Sequence, residues 1–184
     1  MCAGEEIAIV GGGNSAGQAA VFLAGFARKV HMLIRGGGLA ASMSRYLIDR
    51  IAAIPSIEVH YHTQIVALHG DGDTRLAGVT IRKLRGGDEQ YHDVRNVFVF
   101  VGADPETRWL RECGVRLDTN GFVLTGAAVG GNGHEPESLE SSVPGVFAVG
   151  DVRSGSVKRV GGAIGEGASV VALIHAYLAG NPRI

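Results

Sequence analysis

A glycine-rich turn near the amino terminus is the feature of this sequence best suited to chemistry. The apolar run Ile7–Val10 leads directly into Gly11-Gly12-Gly13-Asn14-Ser15-Ala16-Gly17, and a helix-forming segment follows. A buried strand that turns through glycines into a helix is the arrangement that binds a dinucleotide pyrophosphate. Gly11 would form the tight turn, Gly13 would let the backbone approach the phosphates, and Ala16 would let the helix pack closely. The residues predicted to bind the cofactor here are Gly11, Gly12, Gly13, Asn14, Ser15 and Ala16.

The end of the second predicted strand indicates which nicotinamide nucleotide would bind. In dinucleotide folds this position carries an acidic residue for the ribose of NAD, or cations for the 2′-phosphate of NADP. Here the strand Lys29–Ile34 ends at Arg35, with no carboxylate. A guanidinium can bind a phosphate through two hydrogen bonds, so the residue favours NADPH over NADH. A solvated arginine at a strand end is the alternative.

The elements that would position these residues form an α/β pattern. Strands at 7–10 and 29–34 flank a helix at 14–26, which makes a βαβ unit of about 30 residues. Ser42 is predicted to cap a second helix that runs to about residue 53 and stops before Pro55. The hydrophobic period then changes to two over segments 57–60, 64–68, 76–84 and 90–93, which predicts a strand followed by an antiparallel β-meander.

The second half of the chain is patterned differently. A strand over 94–101 ends at Gly102-Ala103-Asp104-Pro105, and a helical turn at 107–113 follows. Further strands are predicted at 122–124 and 145–149, and a closing helix at about 162–179. The polar, glycine-rich stretch 126–142 between them is predicted to be disordered.

Two further groups of residues could contact a ligand. Gly150-Asp151 follows an apolar strand and would place a carboxylate at the sheet edge where open α/β folds bind ligands. The segment Lys158-Arg159-Val160 leads into the last helix, so its cations and backbone N–H groups would face an electron-rich partner. His60 and His62 would lie on one face of a strand, but a metal needs a third ligand and none is evident, so we predict no metal site.

Composition excludes several classes of function. The formal net charge is −1 and hydrophobic residues make up 46% of the chain, so no basic field favours a nucleic acid partner. Apolar runs are interrupted well before the ~20 residues of a membrane span, and no signal pattern starts the chain, so we expect no membrane partner and a cytoplasmic location. Cys2 and Cys113 form no C-x-x-C pair, and we assign them no redox role.

Together these residues resemble the thioredoxin reductase family of flavoprotein pyridine nucleotide oxidoreductases. The loop at 7–16 resembles the NADPH-binding loop of that family, and 101–105, with Gly102, resembles its G-x-x-P joint. Residues 142–151 are similar to its second flavin motif, in which the aspartate, here Asp151, hydrogen-bonds the FAD ribityl chain. The resemblance also implies that segment 158–167 starts a helix beside the flavin ring. It extends over almost the entire chain.

Three departures from the family pattern bear on function. No second G-x-G-x-x-G loop for the FAD pyrophosphate precedes Gly11 in this sequence. We therefore expect 1–98 to be an NAD(P)H-binding domain and 99–184 to be the C-terminal part of an FAD-binding domain. The redox C-x-x-C of the family is also absent, which leaves the electron acceptor unknown. Of the family's cation cluster for the 2′-phosphate only Arg35 remains, to which Arg45 on the next helix could add.

The sequence thus predicts an α/β protein with a Rossmann-like NADPH-binding domain, a β-meander and a partial FAD-binding domain. Its expected function is hydride transfer from NADPH to FAD, with FAD bound only if the missing half is supplied and with the piece inactive alone. The alternative is a module that binds or senses NAD(P)H without catalysis, whose flavin-like segment could serve a homodimer. A third is that another chain supplies the FAD half.

Overall fold

The computed structural model describes residues 2–72, 74–131 and 136–180, and the chain divides between Gly102 and Ala103 into two compact units. In the first unit the strands β1 (Glu6–Val10), β2 (Lys29–Ile34), β3 (Ile57–Tyr61) and β7 (Asn96–Val99) form a parallel sheet in the order β3-β2-β1-β7. The helices α1 (Asn14–Leu23) and α2 (Arg45–Ala52) connect β1 to β2 and β2 to β3. The predicted βαβ unit is confirmed.

The meander forms a second sheet in the same unit. Strands β4 (Thr63–Gly70), β5 (Leu76–Lys83) and β6 (Glu89–His92) pair antiparallel in the order β4-β5-β6. His62 separates β3 from β4 and has a φ of 53°, a left-handed conformation that turns the chain sharply between the two sheets. The period of two already begins in β3, which pairs in the parallel sheet, so the change of sheet comes one strand later, at His62.

The central strands β1 and β2 are buried on both faces, and alternate residues serve different cores. Ile7, Ile9, Val30 and Met32 pack with α1 and α2. The intervening residues Ala8 and Leu33 instead pack with Val79, Ile81 and Val94. Because successive side chains of a strand point to opposite faces, two cores follow from one sheet. The continuous apolar runs in the sequence reflect this double burial.

The second unit contains little regular structure before its helix. It has a small core of Leu110, Val115 and Val123, three short 3₁₀ turns at Arg108–Leu110, Gly126–Val129 and Gly150–Val152, and the helix α3 (Val160–Gly180). By length and composition α3 alone, among the described residues, could cross a membrane. The expectation of no membrane partner stays a prediction. Glu166 and Tyr177 of α3 contact Arg153 and Phe147 of the same unit.

Several predicted elements are wrong in this unit. Residues 145–149 form only an isolated antiparallel bridge between Phe147 and Glu140, with Ala148 N–H donating to the Leu139 carbonyl and Ser141 N–H to the Val146 carbonyl. Residues 122–124 contribute only isolated bridges at Val123. A strand needs a continuous partner for its backbone groups, and the described residues give neither segment one.

Two predictions about local order also need correction. Ser44, not Ser42, is the N-cap residue of α2. The stretch 126–142, predicted to be disordered, contains the 3₁₀ turn Gly126–Val129 and the buried residues Leu139, Glu140 and Ser141. The Glu140 carboxylate accepts a backbone hydrogen bond from Gly145, which explains how a polar segment can be ordered. Residues 132–135 lie outside the described residues.

Candidate functional site

The turn after β1 requires glycine at its first position. Gly11 has a φ of +138°, and a Cβ there would lie 2.4 Å from the backbone oxygen of Phe100. Phe100 continues β7 and donates its N–H to the Val10 carbonyl. The chain leaves β1 by passing directly against the neighbouring strand, which only a residue without a side chain allows.

The start of α1 is open to a ligand. Gly13 is the N-cap residue and has no side chain that could accept hydrogen bonds from the first turn. The first N–H groups of a helix have no partner within the helix, and they carry its positive dipole end. Such a helix start is suited to a phosphate.

Polar contacts fix this turn against the segment before α2. The Ser42 hydroxyl donates to the Gly12 carbonyl at 3.0 Å, and the Ser44 N–H donates to Asn14 Oδ1 at 2.8 Å. Asn14, predicted as a cofactor ligand, thus uses its side-chain oxygen to hold the N-cap residue of α2. That oxygen is therefore already used within the protein.

A cavity of about 610 Å³ lies over the turn. The residues predicted from the loop that line it are Gly11, Gly12, Gly13, Asn14 and Ser15, and Arg35 and Gly102 line it as well. Ala16 is fully buried behind the turn, where it packs in the helix-facing core. The fold therefore brings together at one cavity residues that are 91 positions apart in the sequence, Gly11 and Gly102.

Arg45 is placed differently from Arg35. It begins the exposed face of α2, and its Nε donates to Asp49 Oδ1 at 2.8 Å. Arg45 is not among the residues that line the cavity. Arg35, which is exposed at the end of β2, is the arginine of the cavity wall.

The second predicted group is held by α3. Gly150 has a φ of +72°, and a Cβ there would lie 3.3 Å from Ala163 Cβ, so the backbone packs closely on the first turns of the helix. Its N–H donates to Glu166 Oε2 at 2.7 Å, and Arg153 pairs with the same carboxylate. Asp151 follows Gly150 and is exposed. The Glu166–Arg153 pair thus fixes the turn that presents Asp151.

The cationic segment before α3 also turns toward Asp151. Lys158 Nζ donates to the Asp151 backbone oxygen at 2.9 Å and lies 3.8 Å from the centre of the Phe122 ring. Arg159 and Val160 are exposed at the start of α3. The structure therefore gathers four of the predicted residues, Asp151 and 158–160, around one end of a helix.

A polar cluster of histidines lies between the two sheets of the first unit. His31 of β2 is 2% exposed, and its Nδ1 is 3.0 Å from Nε2 of His60 on β3. Its Nε2 is 3.0 Å from the Glu6 carboxylate of β1. The His92 ring of β6 lies edge-on to His31, with centroids 5.0 Å apart.

The expectation that His60 and His62 share a face is wrong. His62 lies beyond the end of β3, and its left-handed backbone breaks the strand alternation. Its ring lies instead near Gly37, whose Cβ would be 3.0 Å from it. The partners of His60 come from other strands, which the H-x-H spacing could not reveal.

Hydrogen bonds and burial lower the pKa values of four groups in this cluster. The hydrogen bond from His31 holds the pKa of Glu6 below its ordinary value, and a hydrogen bond from Lys29 does the same for Glu58. Burial lowers the pKa of both His60 and His92. Glu6 and Glu58 are therefore favoured in the ionised form, and His60 and His92 in the neutral form.

Sequence reasoning did not assign roles to Ser42, Arg153 or Glu166 at these two sites. Glu166 had a usable signal, because it is the single acidic residue of an otherwise apolar helix. A lone carboxylate in such a helix indicates a specific partner. Ser42 and Arg153 had no comparable signal, since hydroxyls and arginines are common in loops.

A family model described as pyridine nucleotide-disulphide oxidoreductase matches residues 3–167. The chain belongs to the pyridine nucleotide-disulphide oxidoreductase family. Its resemblance to thioredoxin reductases is confirmed, and so is the expected α/β fold.

Individual members of this oxidoreductase family match over most of the chain. NADPH-dependent thioredoxin reductase 3 of Arabidopsis thaliana is 33% identical over 178 residues, which are 97% of this chain and 31% of that protein. The thioredoxin reductase of Mycoplasma pneumoniae is 29% identical over 174 residues, 95% of this chain and 51% of that one. The crystal structure of T. acidophilum thioredoxin reductase has a TM-score of 0.76 at 26% identity and covers 95% of this chain and 53% of its own. The chain thus spans about a third to a half of these relatives.

We expect Gly11→Ala to destabilise the first unit by about 1–3 kcal/mol or more, because it combines an unfavourable φ with a clash against backbone that cannot move away. Urea unfolding followed by circular dichroism measures the change. Gly38→Ala is the matched control, since a Cβ at Gly38 meets nothing within 4 Å. Equal stability of the two variants would contradict the assigned turn geometry.

We expect Glu166→Gln to remove part of the acid sensitivity of the second unit. The Arg153 hydrogen bond, together with that from Gly150, lowers the pKa of Glu166 below its ordinary value of 4.5. A carboxyl whose folded pKa is lowered stabilises the folded state above that ordinary value and loses this contribution as the pH falls through the folded pKa. The free energy of unfolding, measured against pH below about 4.5, should fall less steeply in the variant. The exposed Glu112→Gln serves as control, and an identical slope in Glu166→Gln and the unmodified chain argues against the pairing.

Proposed function

We propose that this chain binds NADPH at the Gly11 cavity and acts within a thioredoxin reductase-like flavoprotein that passes a hydride from NADPH to FAD. The observation that carries the proposal is the cavity itself, in which a glycine turn and a helix start meet Arg35. The identity to proteins named thioredoxin reductase supports it. A cytoplasmic location remains a prediction.

The residues of the cavity fit a dinucleotide phosphate. A Cβ at Gly11 or Gly12 would reach Phe100 or Ile34, so the glycines keep the backbone close to its neighbours and leave the cavity above them open. The backbone N–H groups at the start of α1 would bind the pyrophosphate. Arg35 would bind the 2′-phosphate, and no carboxylate lines the cavity among the described residues.

The residues around Asp151 fit one side of a flavin. Asp151 would accept hydrogen bonds from the ribityl hydroxyls, as the resemblance implies. The backbone start of α3 and Lys158 would face the electron-rich end of the ring. Glu166 and Arg153 would hold this turn in place without touching the cofactor. The residues of this chain would bind and position the cofactors, and the hydride chemistry would be supplied by NADPH and FAD when they are bound.

We further propose that these 184 residues do not hold FAD by themselves. The sequence contains one glycine loop of the strand-turn-helix kind, and the Gly11 cavity uses it. No residue of α3 is buried, and Ile164, Val171 and Ile174 are among its exposed apolar side chains. An FAD-binding segment that covers this helix, whether in the same or another polypeptide, would complete the site.

The two cysteines do not indicate which electron acceptor would follow FAD. Cys2 is buried, Cys113 is exposed, and both are free thiols. Neither has a neighbouring cysteine in the sequence with which it could form the C-x-x-C dithiol of a thioredoxin reductase. We therefore propose no thioredoxin reduction by these residues.

A nucleotide-binding module without catalysis is the second candidate function. It is favoured by the single glycine loop and by the missing dithiol, since binding at Gly11 requires neither. In that case the segment around Asp151 would be structural and could serve a homodimer. The two functions share the NADPH site and differ in whether a flavin is ever bound.

Calorimetry with the purified chain tests the nucleotide site. We expect NADPH to bind more tightly than NADH, and Arg35→Ala to weaken NADPH by about tenfold or more while changing NADH little, because one charge-assisted contact to the 2′-phosphate is lost. Arg85→Ala, an exposed arginine in the β5–β6 turn, is the matched control. Equal loss for both nucleotides, or no binding of either, would contradict the site.

Absorption spectroscopy tests the flavin side. We expect the chain expressed alone to purify without the visible bands of a flavin, and to gain them on co-expression with the FAD-binding half of a relative. Asp151→Ala should then lower the flavin content of the pair, and Asp104→Ala should not. A stoichiometric flavin in the chain expressed alone would refute the proposal that these residues do not hold FAD by themselves. Absence of flavin bands from the co-expressed pair would favour the binding module.

A further inference from the structure

The histidine cluster between the sheets has no part in the nucleotide site. The Gly11 turn lies at the carboxyl end of β1, whereas Glu6 starts that strand and His31 lies within β2. None of Glu6, His31, Glu58, His60 and His92 lines the Gly11 cavity. The cluster brings three imidazoles and two carboxylates together from β1, β2, β3 and β6.

The register of the parallel sheet sets the donor atoms side by side. His31 pairs with Glu58 across β2 and β3, and His60 follows two residues later on the same face of β3. One donor atom from each of His31, Glu58 and His60 lies within 4.8 Å of the others. Such a set of two imidazoles and a carboxylate suits a divalent transition metal.

The distances match a metal centre closely. Nδ1 of His31 and Nε2 of His60 are 3.0 Å apart, and two nitrogens on one tetrahedral Zn²⁺ would be about 3.3 Å apart. Glu58 Oε1 is 3.7 Å from the same His60 nitrogen. Glu58 Oε2 is held by Lys29, so its other oxygen can turn to a metal while the ion pair is kept. Small rotations of the side chains would therefore complete the site.

Glu6 would select the tautomer of His31 that can bind a metal through Nδ1. The Glu6 carboxylate can only accept a hydrogen bond, so Nε2 of His31 must donate to it. In the neutral form of His31 this leaves Nδ1 with a lone pair directed at His60. A carboxylate that orients a ligand histidine in this way is the usual outer partner of a metal-bound imidazole. His60 would bind through Nε2 and carry its proton on Nδ1.

We propose that His31, Glu58 and His60 form a binding site for one divalent transition metal ion, with Zn²⁺ as the preferred occupant and Glu6 as the carboxylate that positions His31. Three protein ligands leave a fourth position for water. His92 lies edge-on to both rings and would wall the site from β6. The ion would join β2 to β3 and stabilise the first unit.

Zn²⁺ titration of the chelator-treated full chain tests the site. Calorimetry, or competition with a chromogenic chelator, should give one Zn²⁺ per chain, and Zn²⁺ should raise the melting temperature. His60→Gln and Glu58→Gln should each lower the affinity by about tenfold or more, and Glu6→Gln by about 10–100-fold through the outer partner. His69→Gln, an exposed histidine of β4, should bind Zn²⁺ as the unmodified chain does.

Circular dichroism spectra and melting temperatures measured in EDTA serve as the control for folding. In both measurements His60→Gln and Glu58→Gln should match the unmodified chain. Replacement of Zn²⁺ by Co²⁺ should produce the visible absorption of a four-coordinate site, and His31→Gln should abolish it. The proposal is overturned if the unmodified chain binds no stoichiometric Zn²⁺. It is overturned equally if folded His60→Gln and Glu58→Gln bind Zn²⁺ with unchanged affinity.

Discussion

The central strands β1 and β2 are covered on both faces, by α1 and α2 on one side and by the antiparallel sheet on the other. Every side chain of these strands must therefore either be apolar or find a partner inside the protein. The apolar residues supply two cores from a single sheet. The one histidine among them, His31, is satisfied by Glu6 and His60. Both the nucleotide cavity and the histidine cluster result from this arrangement.

The position of the Gly11 cavity depends on where the covered strands end. β1 stops against β7, so the chain must pass the Phe100 carbonyl before α1 can begin, and Gly11 is the residue that allows this. The start of α1, the end of β2 at Arg35 and the end of β7 at Gly102 then face one cavity. Because parallel strands place all their carboxyl ends on one edge, these distant residues meet without any long connection. The position of the cavity is thus a property of the sheet, and its lining is set by the residues at which the strands end.

The second unit has no sheet among its described residues, and an ion pair between Glu166 and Arg153 connects its helix to the neighbouring turn. Glu166 accepts hydrogen bonds from both Arg153 and the Gly150 backbone, and so ties α3 to the turn that carries Asp151. The apolar side of the helix is left exposed. Apolar side chains lower their free energy by leaving water, so such a face is suited to a further partner segment.

Local patterns in the sequence determined the strands and helices of the first unit, the Gly11 turn and Arg35 at the strand end, because burial on both faces and glycine at a tight turn leave direct signals in neighbouring residues. They wrongly predicted a strand at 145–149, since a strand depends on a partner elsewhere in the chain. They also wrongly predicted disorder at 126–142, because Glu140 orders its segment through a hydrogen bond from the Gly145 backbone. Only the tertiary structure decided that Arg35 and not Arg45 lines the cavity, that Glu166 holds Gly150, and that His60 meets His31 rather than His62. The reason is that each of these contacts joins residues from different strands, helices or loops, and their spacing in the sequence carries no record of it.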